Sequence, residues 1–265
     1  MKTQSLRNQL KAGIATSAII LSTIIGSAPK AAAQTPVKNV VIVHGAFADG
    51  SGFKGIYNIL TKKGYKVTVV QNPLTSLKDD VDATNRAIDK QDGPVILVGH
   101  SWGGTVITEA GVNPKVVGLV YIAAFAPDND ETTLKLVQSL PAAPENGILA
   151  PDDKGFVYFS KEKFHAGFAA DLSKEEADFM YASQGPIAAQ GFVAPVTEAA
   201  WKTKPSYAIV ATEDKAINPD IERNMYKRAG AKVTEIKASH VVFISHPDAV
   251  AKVIIEAANN TSAGK

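Results

Sequence analysis

The chain has 265 residues, of which 45% are hydrophobic and 20% are charged. This composition is typical of a globular protein that can bury a large core. The formal net charge is only +2, and the basic residues are scattered among acidic ones, which argues against a nucleic-acid-binding surface. The chain contains no cysteine, which excludes disulfide bonds, thiolate metal sites and a cysteine nucleophile.

The first 33 residues have the pattern of a secretory signal peptide. Lys2, Arg7 and Lys11 supply positive charge, residues 12–28 carry no charge, and the alanines at 31–33 form an A-x-A cleavage site before Gln34. An N-terminal membrane anchor is the alternative, but the apolar stretch is short for a span and is interrupted by Ser and Thr. We therefore expect cleavage near Ala33, export to the periplasm or the medium, and a mature protein without a membrane span.

Six apolar segments alternate with helical patterns, which favours a mainly parallel β-sheet covered by helices on both faces. Ser51 is the expected cap of the first helix, Ser76 and Asp79 form a capping box for the second, and Pro219 and Pro247 begin the last two. In such sheets ligands bind beyond the carboxyl ends of the strands. The predicted strands are residues 40–43, 66–70, 95–98, 116–125, 207–212 and 232–238.

One long segment, residues 127–204, interrupts this alternation between the fourth and fifth strands. It is too long for one crossover helix and too apolar for a disordered loop, and it has helical patterns at 160–170 and 173–183. We interpret it as a helical cap over the carboxyl edge of a core formed by residues 34–126 and 205–265. Its aromatic residues are either pocket walls or, for most of them, contacts that hold the cap on the core: Phe156, Tyr158, Phe159, Phe164, Phe168, Phe179, Tyr181 and Phe192.

The stretch "VILVGHSWGGT" places Ser101 between Gly99 and Gly103, directly after the third strand. This G-x-S-x-G pattern in a strand–turn–helix context is typical of a nucleophilic serine, whose sharp turn leaves no room for neighbouring side chains. The alternative is that Ser101 is merely a small residue in a tight turn.

A serine nucleophile needs a base and an acid that orients the base. His240 follows the last strand directly, and Asp214 lies just past the fifth strand. Together they complete a Ser…Asp…His order along the chain. Asp128, after the fourth strand, is the rival for the role of the acid.

The tetrahedral intermediate of acyl transfer needs N–H donors for its oxyanion. The backbone of Trp102, the residue after Ser101, is one expected donor, and Ala46 in the "HGAF" loop after the first strand is the other. Phe47, Phe125 and Val241 are candidate pocket residues. The sequence contains no H-E-x-x-H motif and no nucleotide-binding glycine motif, so we expect neither a metal nor a cofactor.

The segments "HGAF", "GHSWGG", "YIAAFAPD", "ATEDKAINP" and "ASH" together resemble the α/β-hydrolase fold. They are most similar to its small serine esterases related to plant methylesterases and hydroxynitrile lyases. The resemblance covers the whole mature chain and implies a six-stranded sheet in the order 2-1-3-4-5-6. It also implies hydrolysis of a small-molecule ester through an acyl-enzyme on Ser101.

Two alternatives remain open. The first is a hydroxynitrile lyase or a C–C-cleaving enzyme that uses the same triad. The lyases typically carry a threonine and a lysine where this chain has Gly45 and Val241, which weakens the lyase reading. The second alternative is a non-catalytic protein that binds a small molecule in the same pocket.

Overall fold

The computed structural model describes residues 37–261, so the predicted signal peptide lies outside the described residues. The strands are β1 (Asn39–Val43), β2 (Lys66–Val70), β3 (Val95–Ser101), β4 (Val116–Ala124), β5 (Phe156–Val157), β6 (Ile187–Ala188), β7 (Ser206–Ala211) and β8 (Lys232–Ile236). Six of them form one parallel sheet in the order β2-β1-β3-β4-β7-β8, and β5 pairs with β6 in a separate two-stranded antiparallel sheet. The predicted α/β-hydrolase sheet and its strand order are therefore confirmed.

The helices fall into a core set and a set between β4 and β7. The core set is α1 (Lys54–Lys62), α2 (Leu77–Asp89), α3 (Trp102–Ala110), α8 (Pro219–Arg228), α9 (Val242–Ser245) and α10 (Pro247–Asn260). The other set is α4 (Thr133–Val137), α5 (Lys161–Phe168), α6 (Lys174–Ala182) and α7 (Ala189–Val193).

Burial of the strands follows their position in the sheet. Every residue of β1, β3 and β7 is buried, because these central strands are covered by helices on both faces. The edge strands β2 and β8 consist mostly of exposed and partly buried residues. The continuous apolar runs in the sequence therefore identify the middle of the sheet, and the mixed runs identify its edges.

Helix starts follow the capping chemistry, with one correction. The Ser76 side chain accepts the Asp79 N–H at 3.0 Å, and Pro219 is the first residue of α8. The predicted cap at Ser51 is wrong, since Asp49 accepts the Ser51 N–H at 2.6 Å. That bond starts a 3₁₀ turn over Gly50–Phe53, which delays α1 to Lys54.

The segment between β4 and β7, residues 127–204, is called the insert below. Its helices α5 and α6 correspond to the two helical patterns predicted there. Backbone bonds join it to the core, from Phe47 N–H to the Gly185 carbonyl at 3.0 Å and from Ala188 N–H to the Leu74 carbonyl at 2.9 Å. Between residues 37 and 261, none of the helices combines the length and the apolar character that crossing a bilayer requires.

Candidate active site

Ser101 occupies a strained turn between β3 and α3. Its φ of 53° and ψ of −121° lie in a region that residues other than glycine rarely adopt. A Cβ on Gly103 would overlap the carbonyl of Val43, and one on Gly45 would lie 2.6 Å from the Ser101 Cβ. The glycines thus let β1, β3 and α3 converge on Ser101, which is the geometry of a nucleophile elbow.

His240 and Asp214 form a buried pair after β8 and β7. The His240 Nδ1–H donates to Asp214 Oδ2 at 2.6 Å, and both side chains are almost completely buried. Asp128 instead pairs with Lys202 at 2.5 Å, and Glu213 faces Lys237 at 3.5 Å. Of these three acids, Asp214 is the one that contacts His240.

Two further histidines hold the loops of the site. His100 Nε2 lies 3.0 Å from the His240 carbonyl oxygen. His44 Nε2 accepts the Asn72 N–H at 2.9 Å. The Nδ1 atom of the same ring lies 2.8 Å from the Gly45 carbonyl oxygen. Burial lowers the pKa of His44 and holds that of His100 well below its ordinary value. Both are therefore neutral at pH 7, with each ring positioned by a backbone group.

The loop after β1 offers one backbone donor beside Ser101. Phe47 has a φ of 59°, and its N–H is taken up by Gly185, whereas the Ala46 N–H bonds to no other described backbone group. The Trp102 N–H is the first of α3, where helical N–H groups lack an intrahelical partner. Ala46, Trp102 and Ser101 line the same cavity, so both N–H groups are available near the serine.

The indole of Trp102 is held from below by Asp80 of α2. Its Nε1–H donates to Asp80 Oδ2 at 2.7 Å, and the Leu74 N–H donates to Asp80 Oδ1 at 2.8 Å. Burial raises the pKa of Asp80 to about 6, against the lowering effect of these two hydrogen bonds. This contact is not predictable from the sequence, because an acid in an amphipathic helix ordinarily lies on its solvated face.

Asp171 of the insert holds the loop that carries His240. Its carboxylate accepts the Ser239 N–H at 2.9 Å and the Ser245 hydroxyl at 2.7 Å, and it also binds the Ser239 hydroxyl. Burial alone would raise the pKa of Asp171, but these hydrogen bonds outweigh it and hold that pKa below its ordinary value. The insert thus fixes the position of His240 through an ionised side chain.

A cavity of about 340 Å³ lies above Ser101, between the core and the insert. The polar side chains on its wall are those of Ser101 and His240, and the remainder of the wall is apolar or aromatic. Phe168 and Phe192 are the two of the eight insert aromatics named above that reach it. Such a cavity suits an uncharged, largely apolar small molecule.

The structure brings most of the sequence-predicted site residues together. Ser101, His240, Ala46, Trp102, Phe47 and Phe125 all line the cavity. Val241 is fully buried and does not lie on the cavity wall, because the chain turns into α9 there and its side chain enters the core. Among the described residues, no three His, Asp or Glu side chains are grouped to hold a metal ion.

Comparison with known proteins agrees with this fold. The sequence profile of the alpha/beta hydrolase family matches residues 40–253. The chain belongs to this family. The match covers the sheet from Val40 onward and all the loops that carry the site.

Proteins similar in sequence to this chain include two that are named as hydrolases. A pyrethroid hydrolase of Sphingobium wenxiniae is 26% identical over 259 residues, covering 84% of this chain and 88% of the relative. An alpha/beta hydrolase, nvfD, of Aspergillus novofumigatus is 26% identical over 243 residues, covering 83% and 96%. The crystal structure of polyneuridine aldehyde esterase superposes with a TM-score of 0.72 at 19% identity, covering 83% of this chain and 98% of that one, and this likeness concerns the fold.

Proposed function

We propose that this α/β hydrolase cleaves uncharged carboxylic esters through an acyl-enzyme on Ser101. The observation that carries the proposal is the hydrogen bond of 2.6 Å between His240 and Asp214 at a cavity that Ser101 and His240 both line. The apolar cavity wall and the names of the hydrolase relatives support an ester of low polarity as the substrate.

In the proposed reaction His240 takes the proton of the Ser101 hydroxyl as its oxygen attacks the ester carbonyl carbon. The backbone N–H groups of Ala46 and Trp102 bind the oxyanion that forms, and Asp214 holds the imidazole in the required tautomer. When the C–O bond breaks, His240 gives its proton to the leaving alkoxide. Water then attacks the acyl-enzyme by the same route, which releases the acid and restores Ser101.

The test is hydrolysis of p-nitrophenyl esters by wild type, Ser101→Ala and His240→Ala. We expect each variant to lose at least about 10³-fold in kcat, because removal of either member disables the whole unit. An ester panel that varies acyl length and leaving group, with Ser101→Ala as the control, defines the preferred substrate. Unchanged activity in either variant would overturn the assignment.

Two readouts separate this proposal from the alternatives that the sequence left open. A serine-directed phosphonate labels Ser101 in a working hydrolase, whereas a protein that only binds small molecules stays unlabelled. Turnover of a cyanohydrin without ester hydrolysis would favour lyase chemistry.

We also propose that residues 1–33 direct export and are then removed, which rests on the sequence pattern alone. N-terminal sequencing of the protein from the periplasm or the medium should begin at Gln34. A protein that keeps Met1 and stays in the cytoplasm would contradict export.

A further inference from the structure

Glu222 is a buried acid that the reaction above does not use. It lies in the first turns of α8 and is completely buried. Neither of its carboxyl oxygens receives a hydrogen bond from a described residue. An ionised carboxylate in that setting would cost several kcal/mol, because it has lost water and its contact with the Ala211 backbone only partly offsets that loss.

The neighbour of Glu222 is Asp214, whose carboxyl group lies within hydrogen-bonding reach. Asp214 Oδ1 accepts the N–H groups of Ala216 at 2.7 Å and Ile217 at 2.9 Å, and Oδ2 accepts His240 Nδ1–H at 2.6 Å. Two touching carboxyl groups cannot both ionise at low cost. Asp214 accepts three hydrogen bonds, whereas the contact of Glu222 with the Ala211 backbone does not outweigh its burial, so the charge belongs on Asp214 and the shared proton on Glu222.

The other titratable groups around Glu222 do not change this assignment. Tyr226, one turn further along α8, exchanges hydrogen bonds of 2.8 Å with the backbone of Ala124, and burial raises its pKa well above the ordinary value. The Arg223 guanidinium is directed to Glu235 and Asp220 at the surface. Burial and, after it, the negative charge of Asp214 raise the pKa of Glu222 well above its ordinary value.

We propose that Glu222 is a neutral carboxylic acid that donates a hydrogen bond to the Asp214 carboxylate and so sets how strongly His240 holds a proton. This inference rests on the proposed function, since it takes Asp214 as the acid of the triad. A donor on Asp214 spreads its negative charge and weakens its hold on a protonated imidazole. Glu222 is therefore a positioning residue that keeps His240 a weaker base, able to return its proton to the leaving group.

The test compares the pH profiles of kcat/KM for wild type, Glu222→Gln and Glu222→Met. Gln keeps a donor toward Asp214, so we expect its acidic limb to stay within about 0.2 pH unit of wild type. Met has similar volume and no donor, so the acidic limb should move upward by about 0.5 unit or more. If Glu222 were ionised, Glu222→Gln would remove a negative charge beside His240, and the limb would move downward instead.

Infrared difference spectroscopy of wild type against Glu222→Gln tests whether the Glu222 carboxyl group is protonated, and this measurement does not depend on enzyme activity. At pH 8, where Asp80 is ionised, the wild type should show a carbonyl stretch of a protonated carboxylic acid that the variant lacks. Ile221→Ala, on the same helix, controls for lost packing and should leave the acidic limb in place.

The experiments distinguish a failure of the proposed function from a failure of the role assigned to Glu222. Activity retained by Ser101→Ala or His240→Ala overturns the proposed function, whatever the Glu222 variants do. If those two variants lose activity, the proposed function stands and the role of Glu222 is tested separately. That role is overturned by an unmoved acidic limb in Glu222→Met, by a downward shift of the limb in Glu222→Gln, or by a missing infrared band.

Discussion

Trp102 contributes to the site through two groups that are held in different ways. Its backbone N–H is positioned by the turn at Ser101 and the start of α3, whereas its indole is held by the Asp80 carboxylate at 2.7 Å. The indole also makes an edge-to-face contact with Phe192, with ring centroids 5.6 Å apart. One acid beneath the cavity therefore fixes an aromatic wall next to the proposed nucleophile.

Because the pKa of Asp80 is raised in the folded protein, we expect its contribution to stability to depend on pH. Its pKa of about 6 in the fold exceeds the ordinary 3.8, so between these values the folded protein holds a proton that the unfolded chain releases. Asp80 therefore favours folding fully below about pH 4, and this contribution of roughly 3 kcal/mol disappears as the pH rises through about 6. The free energy of unfolding of wild type minus that of Asp80→Asn should fall over this range and then level off.

Denaturant unfolding of both proteins at pH 4, 5, 6 and 7.5 measures this difference. Asp79→Asn is the matched control one residue earlier. Hydrogen bonds from Ser76 and Thr75 lower the pKa of Asp79, so its contribution is lost as the pH falls, in the opposite direction. A difference for Asp80→Asn that does not vary between pH 4 and 7.5 would contradict the prediction.

The geometry of the site depends on how closely β1, β3 and α3 approach one another. The backbone of α3 at Gly103 packs directly on the carbonyl groups of Val43 and His44, at the start of the loop that carries Ala46. Any side chain at this crossing must separate the helix from the strand, because backbone atoms cannot move aside as a flexible side chain can. The same approach sets the spacing between Ala46 and Ser101.

We therefore expect Gly103→Ala to reduce both stability and activity. Its methyl group overlaps the Val43 carbonyl, and relief of such overpacking costs about 1–3 kcal/mol or more. Thermal unfolding and ester hydrolysis measure the two effects. Gly93→Ala is the control, since its new methyl group would meet its nearest neighbour at an ordinary 3.5 Å; equal effects of the two substitutions would exclude the crossing as the cause.

The cavity is formed jointly by the carboxyl edge of the sheet and the insert. The sheet edge contributes Ser101 and His240, and the insert contributes apolar side chains such as Leu149, Val157 and Phe192. The proposed chemistry and the choice of substrate therefore lie in different parts of the chain. Changes in the insert should alter which ester is cleaved more than whether esters are cleaved.

Phe192→Ala tests this division. Removal of the ring enlarges the cavity, so kcat/KM for bulky acyl esters should rise relative to that for acetyl esters by about 10-fold, which is the lower end of the effect of one methylene group in a hydrophobic pocket. Phe179→Ala is the control, because Phe179 also lies in the insert but is 69% exposed. A ratio of bulky to acetyl ester that Phe192→Ala leaves at the wild-type value would show that this wall does not select the substrate.

The predictable part of the site consists of residues that follow strands. Ser101, Asp214 and His240 could be chosen from the sequence because the carboxyl ends of parallel strands share one edge, so residues after different strands come together. The missed contacts have a different origin. Asp80, Asp171 and Glu222 each lie in or beside a helix, where an acid ordinarily faces solvent, and their partners are distant in sequence or hidden by the fold.

Sequence patterns were enough to predict the sheet and the pairing of a glycine-flanked serine with a strand-end acid and histidine, and the family resemblance was enough to predict the strand order. These features depend on local periodicity and turn chemistry, which neighbouring residues specify. Three other features emerge from the folded chain: Asp214 rather than Asp128 contacts His240, the Val241 side chain lies in the core and not on the cavity wall, and Glu222 lies next to Asp214. Those outcomes depend on side-chain directions and burial across distant segments, which arise only when the whole chain packs.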